Sequence, residues 1–68
     1  MPPKIRELIE ILKSNNFQNR GGKGGHKNFL HQSGVKVTVS GNPGDNAKRY
    51  QIKEVERAVI EVKKHEAK

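Results

Sequence analysis

The sequence predicts an α+β fold with the element order α-β-β-β-α, formed as a single domain over residues 1–68. A helical apolar repeat stands at each end of the chain, and a glycine-rich stretch separates short strand-like segments between them. We expect a three-stranded antiparallel sheet with both helices on one face. The other face then stays open, because an antiparallel sheet is commonly buried on one side only.

The first helix is predicted from about Pro3 to Ser14, and Asn15-Asn16 is expected to end it, since asparagine tolerates the left-handed conformation of a helix C-terminus. Its apolar residues follow the i, i+3, i+4, i+7 spacing of one helix face. They are Ile5, Leu8, Ile9 and Leu12.

Three strands are predicted between the helices, over Phe17–Arg20, His26–His31 and Val35–Ser40. The third alternates apolar and polar residues with period two, which is the clearest strand pattern in the chain. Gly21–Gly25 forms the first connection, where a flexible hairpin loop and a phosphate-approaching loop are equally good interpretations.

The last helix is expected to be capped by Asp45 or Asn46 and to run to about Lys64. Its predicted buried stripe consists of Ile52, Val55, Val59 and Val62. Arg49, Lys53 and Arg57 form a basic stripe away from that apolar face, which either contacts phosphates or is simply solvated.

The charge balance indicates a polyanionic partner. Lysine and arginine number 14 against 7 acidic residues, which gives a net charge of +7 on 68 residues. No apolar run approaches the length of a membrane helix, and no signal-peptide core is visible, so we expect a cytoplasmic protein that binds RNA and does not bind membranes. Without cysteine, disulfides and zinc–thiolate sites are excluded.

Histidine is the residue type best suited to chemistry here. No carboxylate pair, metal cage or serine nucleophile motif is apparent, so no metal ion or small-molecule cofactor is expected. His65 lies in a charged tail. His31 is an even step from Phe29 in the second strand and should share its core face, whereas His26 is an odd step away and should lie on the open face.

His26 follows the glycine loop and is flanked in sequence by Lys23 and Lys27. An imidazole titrates near neutral pH, and RNA carries its own nucleophile in the 2′-OH, so a histidine and cations beside a phosphate approach a minimal ribonuclease site. From the spacing alone, a surface hydrogen-bonding role for His26 is the better-supported interpretation.

Two stretches, Gly21–Phe29 (GGKGGHKNF) and Val35–Val39 (VKVTV), resemble the HicA-type toxins of bacterial toxin–antitoxin pairs. The opening Ile-Arg-Glu-Leu-Ile and the segment Ala47–Tyr50 agree with that family, and the similarity covers nearly the whole chain. The resemblance implies a double-stranded-RNA-binding-domain-like fold and an mRNA interferase that a HicB-type antitoxin inhibits. It also implies that His26 is the catalytic residue. The family usually has serine immediately before this histidine, where this chain has Gly25.

These observations lead to a metal-independent endoribonuclease as the first functional hypothesis, with His26 as general base, acid or both. The expected RNA-binding residues are Lys23, Lys27, Arg49, Lys53 and Arg57. One alternative is a non-catalytic RNA-binding module on the same fold. Another is a weakened toxin that acts mainly as the binding partner of an acidic antitoxin.

Overall fold

The computed structural model describes residues 2–22 and 26–66 and has the predicted order α-β-β-β-α. Its three strands form one antiparallel sheet in the order β1-β2-β3. The α+β prediction is therefore confirmed. The elements are α1 (Ile5–Ser14), β1 (Gln18–Asn19), β2 (His26–Leu30), β3 (Lys36–Ser40) and α2 (Arg49–Glu66).

The core lies between the two helices and one face of the sheet. Phe29 of β2 pairs with Val37 of β3, and both side chains are buried with Val39. Helix α1 contributes its buried face to the same cluster. The small core has few large side chains, so each fully buried one is expected to matter to the free energy of unfolding.

Helix α2 begins at Arg49, so the prediction that Asp45 or Asn46 caps it is wrong. Instead, the backbone of these two residues pairs with the residues at the start of α1. The Ile5 N–H donates to the Asp45 carbonyl at 2.9 Å, and Asn46 forms an isolated bridge with Lys4. These bonds satisfy helix N–H groups that would otherwise lack partners. They also start α1 at Ile5 rather than at Pro3.

The N-terminus of α2 is closed by Gln51, a buried polar residue. Its Oε1 accepts from the backbone N–H of Lys48 at 2.9 Å, while its Nε2 donates to the carbonyl of Ser40 at 2.8 Å. The first contact is the glutamine half of a capping box. The second fastens α2 to the end of β3.

Two of the four residues of the predicted α2 stripe are not fully buried. Val55 and Val62 are buried as expected, but Ala58 is buried and Ile52 and Val59 are only partly buried. A small residue at the closest approach lets the helix pack tightly on β3, which the apolar spacing alone does not reveal. Strand β1 is also shorter than predicted, because Phe17 precedes it and a bulge follows it at Arg20.

Replacing Leu12 by alanine is expected to lower the free energy of unfolding by about 3 kcal/mol, because the side chain is completely buried and its loss leaves a cavity. Ile11, the preceding residue, is 42% exposed and provides the matched control, for which Ile11→Ala should cost less than about 1 kcal/mol. Urea denaturation followed by circular dichroism measures both. Equal losses would contradict the packing described for α1.

Candidate functional site

The open face of the sheet carries His26. In the register of β2 and β3, His26 lies opposite Ser40, two positions beyond the Asn28–Thr38 pair. Its side chain is exposed, whereas Phe29, an odd step away, is buried under the helices. The prediction that His26 projects from the uncovered side of the sheet is therefore confirmed.

Lys27 does not accompany His26 on this face. It lies opposite the buried Val39 and is itself partly buried on the helix side of the sheet. Neighbouring residues of a strand point to opposite faces, so flanking in sequence separates the two side chains in space. Lys23, the other expected cation, lies outside the described residues, as does Gly25.

Two other cations, Arg20 and Lys36, lie on the open face instead. Both line a shallow depression with Asn28, Leu30 and Thr38. The Thr38 hydroxyl donates to Asn28 Oδ1 at 2.9 Å in the middle of this surface. The sequence analysis did not single out Lys36, although it is a polar position of the alternating third strand and could have been found from that pattern. Finding Arg20 required knowledge of how β1 is aligned with β2.

A β-bulge sets that alignment. Arg20 donates its backbone N–H to the Asn28 carbonyl at 2.7 Å, and Asn28 donates to the Gly21 carbonyl at 3.0 Å, so two residues oppose one. Gly21 has a φ of +86°, which glycine adopts without a steric penalty. Because the bulge lies on the first strand, the alternation of side chains along β2 is undisturbed.

Gly22 makes a very close approach to the backbone of His26. A side chain at Gly22 would overlap the His26 carbonyl oxygen. Only glycine fits at this position without movement of the chain. The start of the glycine loop therefore packs against the backbone that carries the histidine.

The basic stripe lies on α2, on the covered side of the sheet, whereas His26 lies on the open face. Arg49, Lys53 and Arg57 are exposed, while α2 turns Val55 and Ala58 towards the sheet. Arg57 also borders a depression beside β3. Of the predicted cations that the structure describes, none therefore shares the open face with the histidine.

The other two histidines have different surroundings. His31 is buried, as predicted, and its Nδ1 accepts from the backbone N–H of Ser33 at 3.0 Å. Its ring lies 5.4 Å from that of Phe17, and its Nε2 has no hydrogen-bond partner among residues 2–22 and 26–66. This arrangement is that of a structural histidine at a hairpin turn. His65 is exposed near the end of α2.

Among the described residues there is neither a metal-ligand cluster nor a membrane-spanning helix. Within the part of the chain that the structure describes, no three His, Asp or Glu side chains converge as a metal site would require. In the same residues, neither helix combines the length and the apolar composition needed to cross a bilayer.

Comparison with known families gives one match. A family model described as the HicA toxin of bacterial toxin–antitoxin systems matches residues 5–60 of this chain. The matched region extends from the start of α1 into the second half of α2 and contains the whole sheet. No curated protein matches the chain.

Replacing Gly22 by alanine is expected to displace the backbone at His26, because the new methyl group cannot be accommodated beside its carbonyl. The amide and imidazole NMR resonances of His26 should shift, and the folded state should lose about 1–3 kcal/mol of stability. Gly44→Ala is the matched control, since a Cβ there meets nothing within 4 Å. Unchanged His26 resonances in the Gly22 variant would contradict the close approach.

Proposed function

This chain belongs to the HicA toxin family of bacterial toxin–antitoxin systems, and on that premise we propose that it is a metal-independent endoribonuclease that cleaves mRNA. The observation that carries the proposal is the exposed imidazole of His26 on the open face of the sheet, with Arg20 and Lys36 on the same face. A polyanion drawn to a chain of net charge +7 can reach this face without displacing a helix.

The chemistry uses the nucleophile that RNA already carries. His26 accepts the proton of a ribose 2′-OH as the oxygen attacks the adjacent phosphorus. The O2′–P bond forms while the P–O5′ bond breaks, and the imidazolium returns its proton to the departing O5′. The products are a 2′,3′-cyclic phosphate and a new 5′-hydroxyl end. One imidazole therefore serves first as base and then as acid.

Among the cations that the structure describes, Arg20 is the one that we propose to assist at the reacting phosphate. It lies opposite Asn28, two residues along β2 from His26, which corresponds to about 7 Å along the strand. Lys36 lies opposite Leu30, four residues from His26 and about 13 Å along the strand. We therefore assign Arg20 to the developing phosphoryl charge and Lys36 to a neighbouring phosphate.

The cations expected from the sequence keep a role in this proposal, away from the cleavage point. Lys23 and Lys27 flank His26 in the chain, and we propose that they contact phosphates other than the cleaved one, Lys27 from the helix side of the sheet. Arg49, Lys53 and Arg57 are proposed to bind the RNA where it continues past the β3 edge, because all three are exposed on α2. Such contacts add affinity without specifying sequence.

Family membership makes this chain the toxin of a toxin–antitoxin module. We extend this to a HicB-type antitoxin as the inhibitor, to a cytoplasmic location and to mRNA as the substrate. The second candidate function is a weakened toxin that acts mainly as the binding partner of its antitoxin. A non-catalytic RNA-binding module on the same fold is the related alternative. Gly25 favours both, since the resemblance places a serine hydroxyl at that position.

Substituting His26 by alanine is expected to lower the rate of RNA cleavage roughly 100- to 10,000-fold, the usual effect of losing a general acid–base group. RNA affinity should remain, because the proposed phosphate contacts of Arg20 and Lys36 are unchanged. Gel analysis of a labelled single-stranded RNA in EDTA measures cleavage, and filter binding measures affinity. His65→Ala, in the exposed end of α2, is the matched control. Undiminished cleavage by the His26 variant would remove this residue from the mechanism.

Two charge-neutralising variants distinguish the contribution of the open-face cations to RNA binding and cleavage from that of the α2 cations. The double variant Arg20→Gln/Lys36→Gln should bind RNA more weakly and cleave it more slowly, with the salt dependence of log K reduced by roughly 0.7 for each lost phosphate contact. The triple variant Arg49→Gln/Lys53→Gln/Arg57→Gln should reduce the same salt dependence but leave the cleavage rate of bound RNA unchanged. A loss of single-turnover cleavage in the triple variant alone would place the substrate on α2 rather than on the open face.

A further inference from the structure

Strand β3 forms one edge of the sheet. The register shows which of its residues direct their backbone N–H and C=O groups towards β2 and which direct them outward. Asn28 directs its backbone N–H and C=O towards β1, so its pair with Thr38 is not hydrogen-bonded. The hydrogen bond from the His31 N–H to the Val35 carbonyl, at the hairpin turn, agrees with this alternation of hydrogen-bonded and non-hydrogen-bonded pairs. Val37 and Val39 therefore bond to β2, and Lys36 and Thr38 point their backbone groups outward.

These outward groups are unpaired. No residue in 2–22 or 26–66 makes a hydrogen bond to the backbone N–H or C=O of Lys36 or Thr38 on this edge. At the end of the strand, the Ser40 carbonyl is taken by Gln51 Nε2. The free stretch is thus a regular row of two donors and two acceptors.

The opposite edge of the sheet is protected. Strand β1 has only two residues and is followed by the bulge at Arg20 and Gly21, which breaks the regular spacing of its backbone groups. Short strands and bulges are the usual means by which proteins prevent an edge from pairing with another chain. Strand β3 has five residues and neither protection, so it is the edge suited to strand addition.

A depression runs beside this free edge, between β3 and α2. Ala58 forms part of the α2 wall, together with the charged side chains Glu54, Arg57 and Glu61. On the open-face side, the edge carries Lys36 and Thr38. An added strand would therefore place alternate side chains against a small apolar residue on one side and a lysine on the other.

We propose that the free edge of β3 is the docking site for an extended segment of a protein partner, which joins the sheet as a fourth strand and directs acidic side chains towards Lys36. Charge favours this occupant, because the chain carries a net charge of +7 and Lys36 lies on the open-face side of the β3 edge. A second copy would bring another +7 charge to the same edge. The proposal is independent of ribonuclease activity, since it concerns backbone pairing at an edge.

The test uses the full chain and a short synthetic peptide that alternates valine and glutamate. In the free protein, the amides of Val37 and Val39 should exchange slowly with deuterium, and those of Lys36 and Thr38 rapidly. Saturation with the peptide should slow exchange at Lys36 and Thr38 by about tenfold or more, because two open amides enter hydrogen bonds. Valine–lysine peptide of the same length is the control and should leave both amides unprotected.

Thr38→Pro tests the edge directly. The Thr38 N–H bonds to nothing in the free protein, so proline removes no ladder hydrogen bond while it blocks the incoming strand. Peptide affinity measured by NMR titration should fall about tenfold or more, since at least one backbone hydrogen bond is lost and the ring obstructs its neighbours. Thr38→Val keeps the backbone N–H and should retain binding.

A second peptide series guards against a folding defect in the proline variant. Methylating the peptide amides that face β3 should abolish binding to the unmodified protein, and methylating the alternate amides should not. Equal effects of the two methylation patterns would overturn strand addition. So would peptide-induced shifts confined to the two helices, or slow exchange at Lys36 and Thr38 that arises from self-association without peptide.

Discussion

The two helices cover one face of a three-stranded sheet, and this one-sided burial governs every surface that the molecule presents. Phe29, Val37 and Val39 must face the helices, because the chain has little other apolar material for a core. Their alternate neighbours are then forced outward, which puts His26 in solvent. A slip of one residue between β2 and β3 would exchange the faces, so the same packing that stabilises the fold holds the histidine outside.

The segment between β3 and α2 connects the two ends of the chain. Its backbone accepts from the first N–H groups of α1, through Pro43 and Asp45, and so acts as the cap of that helix. Gln51 then joins the start of α2 to Ser40, the residue opposite His26. The two helices and the end of β3 are consequently linked by hydrogen bonds on the side of the sheet where the histidine strand begins.

Three surfaces result, each with a different chemistry. The open face carries an imidazole with two cations and suits a nucleic acid backbone. The outer side of α2 carries exposed cations, including Lys53. The free edge of β3 offers backbone groups and suits a strand. On the proposals made above, RNA on the open face and a partner strand at the β3 edge would meet at Lys36, which borders both depressions.

The sequence by itself determined the element order, the core faces of the second and third strands and the opposite placement of His26 and His31. All of these depend on local periodicity, which is written in neighbouring residues. Only the tertiary structure decided which of the described cations share the open face with the histidine. Lys27 lies on the helix side of the sheet, opposite the buried Val39. Arg20 lies opposite Asn28 because of a bulge, whose geometry depends on hydrogen bonds between strands. The α2 cap was likewise hidden, because Asp45 and Asn46 serve a helix distant in sequence. Contacts between distant segments leave no periodic signal, and for that reason they appear only when the chain is folded.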